Sequence, residues 1–596
     1  MIEPTGEPRR SGTGTTARSA AVSPLVLGRV LCHVDETTAT VWVQLDRAAT
    51  VTVLGCTTRT FEVRGHHYAL VSVTGLEPDT TYPYDVEVDG EVVWPPPVSP
   101  FPPSSLRTRG PASARRLRII FGSCRYAKVP TYAAPKTAAQ LGIDALDAFA
   151  AAAAGLPREE WPDALLLLGD QIYADELTPQ NRRRIAGRRD RHPEWPDDEI
   201  VGFDEYVGLY RDSWSDPEVR WLLSCVPAGM IFDDHDVRDD WNTSAVWRAE
   251  MARKPWWRDR IRSALASYWV YQHLGNLSAA ERATDPDYQA VVEHEGDTWP
   301  LLAEIADRAD AEVDGNKGVR FSFRWDLGAT RFVMIDSRNG RILDDGAHRM
   351  LGDVEFAWIE EQVRDRSSGE VEHLVLGTSL PWLLPHAIGD LQGVNEIAAG
   401  RPGWRGWLGE RIRQAGDLEH WQAFRASFDR LTRLIITAAT GAGGPATVSV
   451  LSGDVHHSYA ARVDLPGAET DSAVVHQLTC SPVHNVVQWF ITPLFRLGWS
   501  ASLARMTGRL AARSGVPPVG VTWRKLVGPL FGNTIATLEI DGRRATVVFA
   551  QPRSAGSVVE VARLELAAGP SAERSGGEAG ETRFTAETSA GRSHAE

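Results

Sequence analysis

Five cysteines in 596 residues are too few and too scattered to frame the chain. They are Cys32, Cys56, Cys124, Cys225 and Cys480; the number is odd and no CxxC pair occurs. Neither a disulfide scaffold nor a structural zinc site is expected. No run of eighteen apolar residues occurs, so no membrane span is expected. Positive charge is in deficit too: 63 Lys and Arg against 78 Asp and Glu leave a net charge of −15. That balance offers no basic field to a nucleic-acid backbone, so no nucleic-acid partner is predicted. A phosphorylated substrate stays open, because bound cations invert the local potential. Arg9 and Arg10 form a twin arginine, but no apolar stretch follows. No signal peptide is read, and the expected location is cytoplasmic. GxSxG and GK[ST] are absent, which disfavours a serine-esterase elbow and a Walker-type phosphate loop.

What is present divides the chain. Residues 1–23 and 569–596 are polar and poor in bulky side chains, and read as disordered tails. Residues 24–110 read as small β: ATVWVQL alternates its faces, and YDVEVDGEVVW carries Asp89-Gly90, a hairpin signal. GLEPDTTYPYDV resembles a segment of fibronectin type III sandwiches. Residues 111–568 alternate strand and helix patterns. LRIIFGS, DALLLLG, RFVMID and HLVLG do not alternate, as befits strands covered on both faces. They predict an α/β (α+β) catalytic domain with helices on both sides of a sheet, and a helical insertion near 243–319. Within that insertion Trp257, Ile261, Leu265 and Trp269 share one helical face, with Pro255 near the helix start and Gly275 after its end. TIATLEI and ATVVFAQ flank Asp541-Gly542 as a late hairpin. VVQWFITPLFRLGW, interrupted by Pro493 and Arg496, reads as buried wall or a packing helix, with a membrane-surface helix as the alternative.

Four apolar runs end in groups that can bind metal. LRIIFGSCRY delivers Cys124 beside Arg125. ALLLLGDQIYADE delivers Asp170 and Tyr173. AGMIFDDHDVRDDW delivers Asp233, Asp234, His235, Asp236, Asp239 and Asp240. TVSVLSGDVHHSYA delivers Asp454, His456 and His457. Carboxyl ends of strands line the ligand crevice of open α/β sheets, so the four ends can converge. Packed carboxylates repel unless cations balance them. Two adjacent cations can grip the attacking and leaving oxygens of a phosphoryl group and yield hydroxide near neutral pH. Arg125 can fork onto a phosphate or sit as a surface charge. Cys124 can be a ligand or a buried small hydrophobe. Asp336 and Arg338, in MIDSRNGR, form either a structural ion pair or a substrate contact. His386, Glu419, His420 and Trp421 read as pocket wall or ordinary packing, and His457 as a packed supporting group.

FGSCRY, GDQIYAD, FDDHDVRDDW and SGDVHHSY together resemble the PhoD-like alkaline phosphatase D family. These are calcineurin-like metallophosphoesterases with a fibronectin-like β domain in front. The resemblance runs from about Leu25 to Gln551 and implies a metallophosphoesterase sandwich whose site holds ferric iron and calcium, other divalent metals being open. It implies Cys124, Asp170, Tyr173, Asp454 and His456 as metal ligands, with Asp170 bridging. It places His235 toward the substrate; with Arg125 and Asp234 it forms the expected catalytic group. The family usually carries Asn four positions after its DDH[DE] motif. Here that position is Asp240, expected as a metal ligand, with Asn242 as a competitor. The expected function is hydrolysis of small phosphomonoesters or phosphodiesters by a metal-bound hydroxide. The alternative is a non-catalytic, metal-stabilised binding protein. The sequence leaves the natural substrate and the oligomeric state open.

Overall fold

The runs LRIIFG, ALLLL and AGMI become the parallel strands Leu117–Gly122, Ala164–Leu168 and Ala228–Ile231 in the computed structural model. It describes residues 23–568 except 97, 111–115, 130–134, 188–191, 344–347, 442, 468–471 and 487–490. The two expected tails, Ser23 apart, lie outside the described residues. Antiparallel strands Ile535–Asp541, Arg544–Ser554 and Ser557–Ala567 extend this sheet to six. A second sheet of seven runs in the order Phe323–Leu327, Thr330–Ile335, His373–Thr378, Thr447–Ser452, Val474–Thr479, Ser458–Asp464, Thr522–Leu530. Its second to fifth strands are parallel.

The two sheets meet face to face. Ile119, Phe121, Leu166 and Leu168 of the first pack with Phe332, Met334, Val375 and Leu451 of the second. The alternate residues point outward: Ile120, Leu165 and Leu167 lie with Leu146 and Leu222, and Val333, Leu374 and Val450 with Ile359 and Phe428, all from helices. Burial on both faces is why these strands are unalternated. The helices therefore flank a sandwich of two sheets, not one sheet as the strand runs alone suggested. Truncating a residue such as Leu166 at the sheet interface is expected to cost roughly 2–5 kcal/mol.

The N-terminal region is all β. Two four-stranded sheets and a two-stranded pair enclose Val41, Val43, Val51, Val71 and Val86. Asp89 and Gly90, with φ 51 and 83, join Val86–Val88 to Glu91–Trp94. Ala39–Leu45 is buried on both faces although its sequence alternates. Its second face is covered by the helical region: Trp42 meets Trp214 and Tyr271, and Thr40 accepts from Arg282.

Two helical expectations are corrected. The run from Trp257 passes through a π-helical turn at Trp269–His273 and continues to Asn276, so Gly275 lies inside it. A Cβ there would come within 2.8 Å of the Cys32 sulfur, so Gly275 is a packing glycine. Within VVQWFITPLFRLGW, Ile491–Gly498 is helical but is no buried wall: Leu494 and Leu497 are exposed. Among the described residues no helix is long and apolar enough to cross a membrane.

Candidate metal centre

The four motifs follow the carboxyl ends of Leu117–Gly122, Ala164–Leu168, Ala228–Ile231 and Thr447–Ser452, and they meet through their backbones. The Cys124 and Arg125 amides donate to the carbonyls of Gly169 and Asp170 at 3.2 and 3.0 Å. The Asp170 and Asp233 amides donate to one oxygen of Asp236 at 3.1 and 2.9 Å. The Asp454 amide donates to Ser123 Oγ at 3.1 Å. Such close approach needs glycine. A Cβ on Gly169, at φ +109, would stand 2.6 Å from that of Asp233, and one on Gly453 would stand 2.0 Å from Ser123 Oγ. Of eleven described non-glycine residues with positive φ, five belong to the motifs, Cys124, Asp170, Asp240, Asp454 and His456, and a sixth, Asn242, directly follows one. Each left-handed residue costs energy, so their concentration here marks a constrained site.

Two groups of possible ligand atoms lie within 4.8 Å of one another: Asp170, Asp234 and His235, and Asp233, Asp234 and Asp454. Asp234 belongs to both. Burial pushes the Asp170 carboxyl well above its ordinary range, reinforced by Asp233, Asp234 and Asp236 against the opposing charge of His235. Burial raises Asp233 likewise, though Arg338 opposes it. Asp170 Oδ1 and Asp233 Oδ2 are buried without a hydrogen-bond partner. Buried acceptors are normally satisfied, so these two fit cations. Burial opposes charge on Asp454 as well, but a hydrogen bond from His420 and the charges of His420, Arg338 and His456 hold it low.

The remaining expected ligands surround these groups. Cys124 Sγ lies 3.6 Å from the Asp454 carbonyl oxygen, and burial, then Asp170 and Asp454, push its thiol up. The Tyr173 hydroxyl donates to Asp170 Oδ2 at 3.3 Å and accepts from Asn485 at 2.8 Å. The Asp240 amide donates to Asp234 at 3.1 Å, while burial and the acids around it push its carboxyl up to about 9. The His456 ring stands outside both close groups; burial lowers it to about 4, and Asp454 and His235 act on it electrostatically.

Arg125 is corrected. Its buried guanidinium donates to Asp144 at 2.9 Å and to the Ser213 carbonyl at 2.6 Å. Asp144 caps the helix Ala145–Ala154, so Arg125 is a strut away from the acids. Another arginine lies among them. Arg338 pairs with Asp233 and with Glu419 at 2.6 Å, and its Nη2 lies 3.1 Å from Asp234 and 3.6 Å from Asp454 without a directed hydrogen bond. It does not pair with the Asp336 side chain, which accepts from the backbone amides of Arg338 and Asn339. Asn242 is engaged by Arg248 and the Arg338 carbonyl, which removes it as a competitor for Asp240. His386 stacks on Trp523, and His457 donates to the Val455 carbonyl.

Three contributors were not assigned to the metal site or to catalysis from sequence. Asp175 accepts from His235 Nδ1 at 2.9 Å, while Nε2 makes no hydrogen bond and lies 4.0 Å from Asp239; burial disfavours charge on this ring, but Asp175 outweighs it and raises His235. His420, read as pocket wall, receives Gln392 on Nδ1 and so directs Nε2–H to Asp454 at 3.0 Å. Asn485 holds the Tyr173 hydroxyl. Asp175 lies inside GDQIYAD and was within reach of the motif; the other two become neighbours of the site only through the fold.

A solved structure described as that of PhoD is 13% identical, with a TM-score of 0.52 over 92% of this chain and 94% of its own. A purple acid phosphatase from yellow lupin seeds is 11% identical, with a TM-score of 0.44 over 90% of this chain and 73% of its own. A search of curated proteins finds no match. The model of a domain of unknown function matches residues 22–106, the β region. The PhoD-like phosphatase model matches residues 146–489, more than half of the chain, which therefore belongs to the PhoD-like phosphatase family of metal-dependent phosphoric ester hydrolases.

Proposed function

We propose that the chain hydrolyses small phosphoesters at cations gathered around Asp234. The observation that carries this reading is the cluster of Asp170, Asp233, Asp234 and Asp454, with buried carboxylate oxygens of Asp170, Asp233, Asp234 and Asp236 lacking a hydrogen bond; His235, beside them, is assigned as proton donor and not as ligand. Asp170, Tyr173 and Cys124 would hold ferric iron, with Asp170 able to bridge, and Asp233, Asp234, Asp240 and Asp454 would hold calcium; the imidazole of His456 suits iron rather than calcium. Phenolate and thiolate suit iron, and carboxylates suit calcium. When bound, the cations supply Lewis acidity and acidify a water. Asp175 fixes the His235 ring so that Nε2 presents a proton to the leaving oxygen. Arg338, through Nη2, takes the phosphoryl contact first assigned to Arg125. Residues 24–110 are read as a fibronectin type III-like module and 111–568 as the catalytic domain.

The test is turnover after stripping with a chelator and adding back single metals, on an aryl monoester and a bis-aryl diester. Iron with calcium is expected to restore activity, and the substrate ratio assigns monoesterase or diesterase. A visible band lost in Tyr173→Phe supports tyrosinate on iron. No turnover with any metal would favour the binding-protein reading.

A further inference from the structure

The chain is acidic overall, yet no Asp or Glu occurs from Ser472 to Leu538, where Arg496, Arg505, Arg509, Arg513, Arg524 and Lys525 provide six cations. This stretch contains the helices Ile491–Gly498 and Ala501–Ser514, which begin just beyond the family match at residue 489. Both expose large apolar side chains: Leu497 and Met506 are 59% and 61% accessible, and Leu494 and Leu510 are exposed as well. Helix His386–Ala399 lies beside them, its Asp390 accepting from Thr507. It also meets helix Trp404–Ala415 through Asn395 and the Gly409 carbonyl, and its own Leu391 is exposed.

Helix Trp404–Ala415 repeats the pattern. A Cβ on Gly409 would come within 2.6 Å of the Ala399 backbone, so this face is closed. The opposite face carries Trp404 and Trp407, 69% and 65% accessible, with exposed Leu408 and Ile412. Arg405 and Arg411 lie among them in sequence, and the helix's one acid, Glu410, is paired with Arg413.

We propose that this helical face docks on an anionic lipid bilayer. Exposed tryptophan and leucine interleaved with arginine is the composition of helices lying in the membrane interface. An apolar patch this extended is uncommon on a surface meant only for water. The charge selects the partner: the helices Ile491–Gly498 and Ala501–Ser514 carry arginines and no acid, and Glu410 of the neighbouring helix is paired with Arg413, so the face complements anionic headgroups and is repelled by the same face of a second copy. The helices lie on the surface and do not span it.

The intact chain is spun with vesicles of phosphatidylcholine alone or mixed with phosphatidylglycerol. Binding is expected on the anionic vesicles, weakened by salt and much weaker on neutral ones. Arg505→Gln/Arg509→Gln should reduce affinity about thirtyfold. Trp404→Ser/Trp407→Ser should weaken binding at every lipid composition. Both variants should hydrolyse a soluble aryl phosphoester at the parent rate, so this test stands apart from the catalytic one. Absent binding, equal retention on both vesicles, or self-association abolished by the tryptophan variant would overturn the proposal.

Discussion

At one end of the sandwich the strands stop in Cys124, Asp170, Asp233 and Asp454. At the other, a cleft is lined by Arg107, Arg109, Arg158, Asp163, Glu372 and His373. Both ends hold charged side chains, but they are arranged differently. In the cleft, Arg109 donates to the Val34 carbonyl, His373 reaches Thr447 and the Gly542 carbonyl, and Asp163 accepts from the Arg118 amide. None of these six residues has positive φ. At the carboxyl ends, left-handed backbone crowds carboxylates together and leaves buried oxygens of Asp170, Asp233, Asp234 and Asp236 without a hydrogen bond. A hollow alone does not mark a site; unmet buried charge on strained backbone does.

The largest effect should come from testing that contrast directly. Asp170→Asn keeps the shape and removes the charge that balances a cation. Turnover of an aryl phosphoester is expected to fall by about a thousandfold or more. Glu372→Gln in the cleft should stay within about twofold. Steady-state kinetics on both, with folding checked by circular dichroism, decides it. A large loss from Glu372→Gln would place the chemistry at the wrong end.

The two arginines sharpen the comparison. Arg125→Met leaves Asp144 buried with its ion-pair partner gone, at a cost of roughly 3–5 kcal/mol. Its thermal midpoint should drop while the KM of the folded fraction holds. Arg338→Met should lower kcat/KM by about a hundredfold or more, because a phosphoryl contact is lost among acids that remain. If Arg125→Met raised KM and left stability unchanged, the strut assignment would be wrong. A smaller effect is expected from His420→Leu, which removes the donor orienting Asp454: apparent metal affinity should weaken roughly 10–100-fold in a calcium titration.

The same pair shows what a sequence can disclose. Leu165 to Leu168 announced a strand buried on both sides, and the acids just beyond it announced a site, because both signals are local. Arg125 sits next to Cys124, and adjacency suggested a shared role. Successive residues leaving a strand point to opposite sides, however, and Arg125 turns to a helix cap nineteen residues on. In sequence Arg338 reads as an ion pair with Asp336 or a substrate contact, and His420 as pocket wall or packing; both reach the acids from distant loops, so the sequence does not decide between those readings. That the outward strand faces met helices and the inward faces met a second sheet was equally hidden, since both coverings ask for the same apolar side chains.

A last contrast separates the site from its scaffold. His273, in the helical region, and His476, on Val474–Thr479, are buried far from the motifs in sequence. Burial lowers both rings to about 3, helped by Lys317 for His273 and by Arg462 and Arg524 for His476. Above about pH 6.5 the rings are neutral whether the chain is folded or unfolded, and they leave stability unchanged. As the pH falls from about 6.5 toward about 3, the unfolded chain takes up protons that the folded chain refuses, so stability is lost across that window. At about pH 5 the loss is on the order of 2 kcal/mol per ring. Denaturation midpoints of His476→Gln should therefore fall less steeply on acidification than those of the parent, whatever the replacement does at neutral pH. Parallel slopes would mean that His476 accepts its proton inside the folded protein.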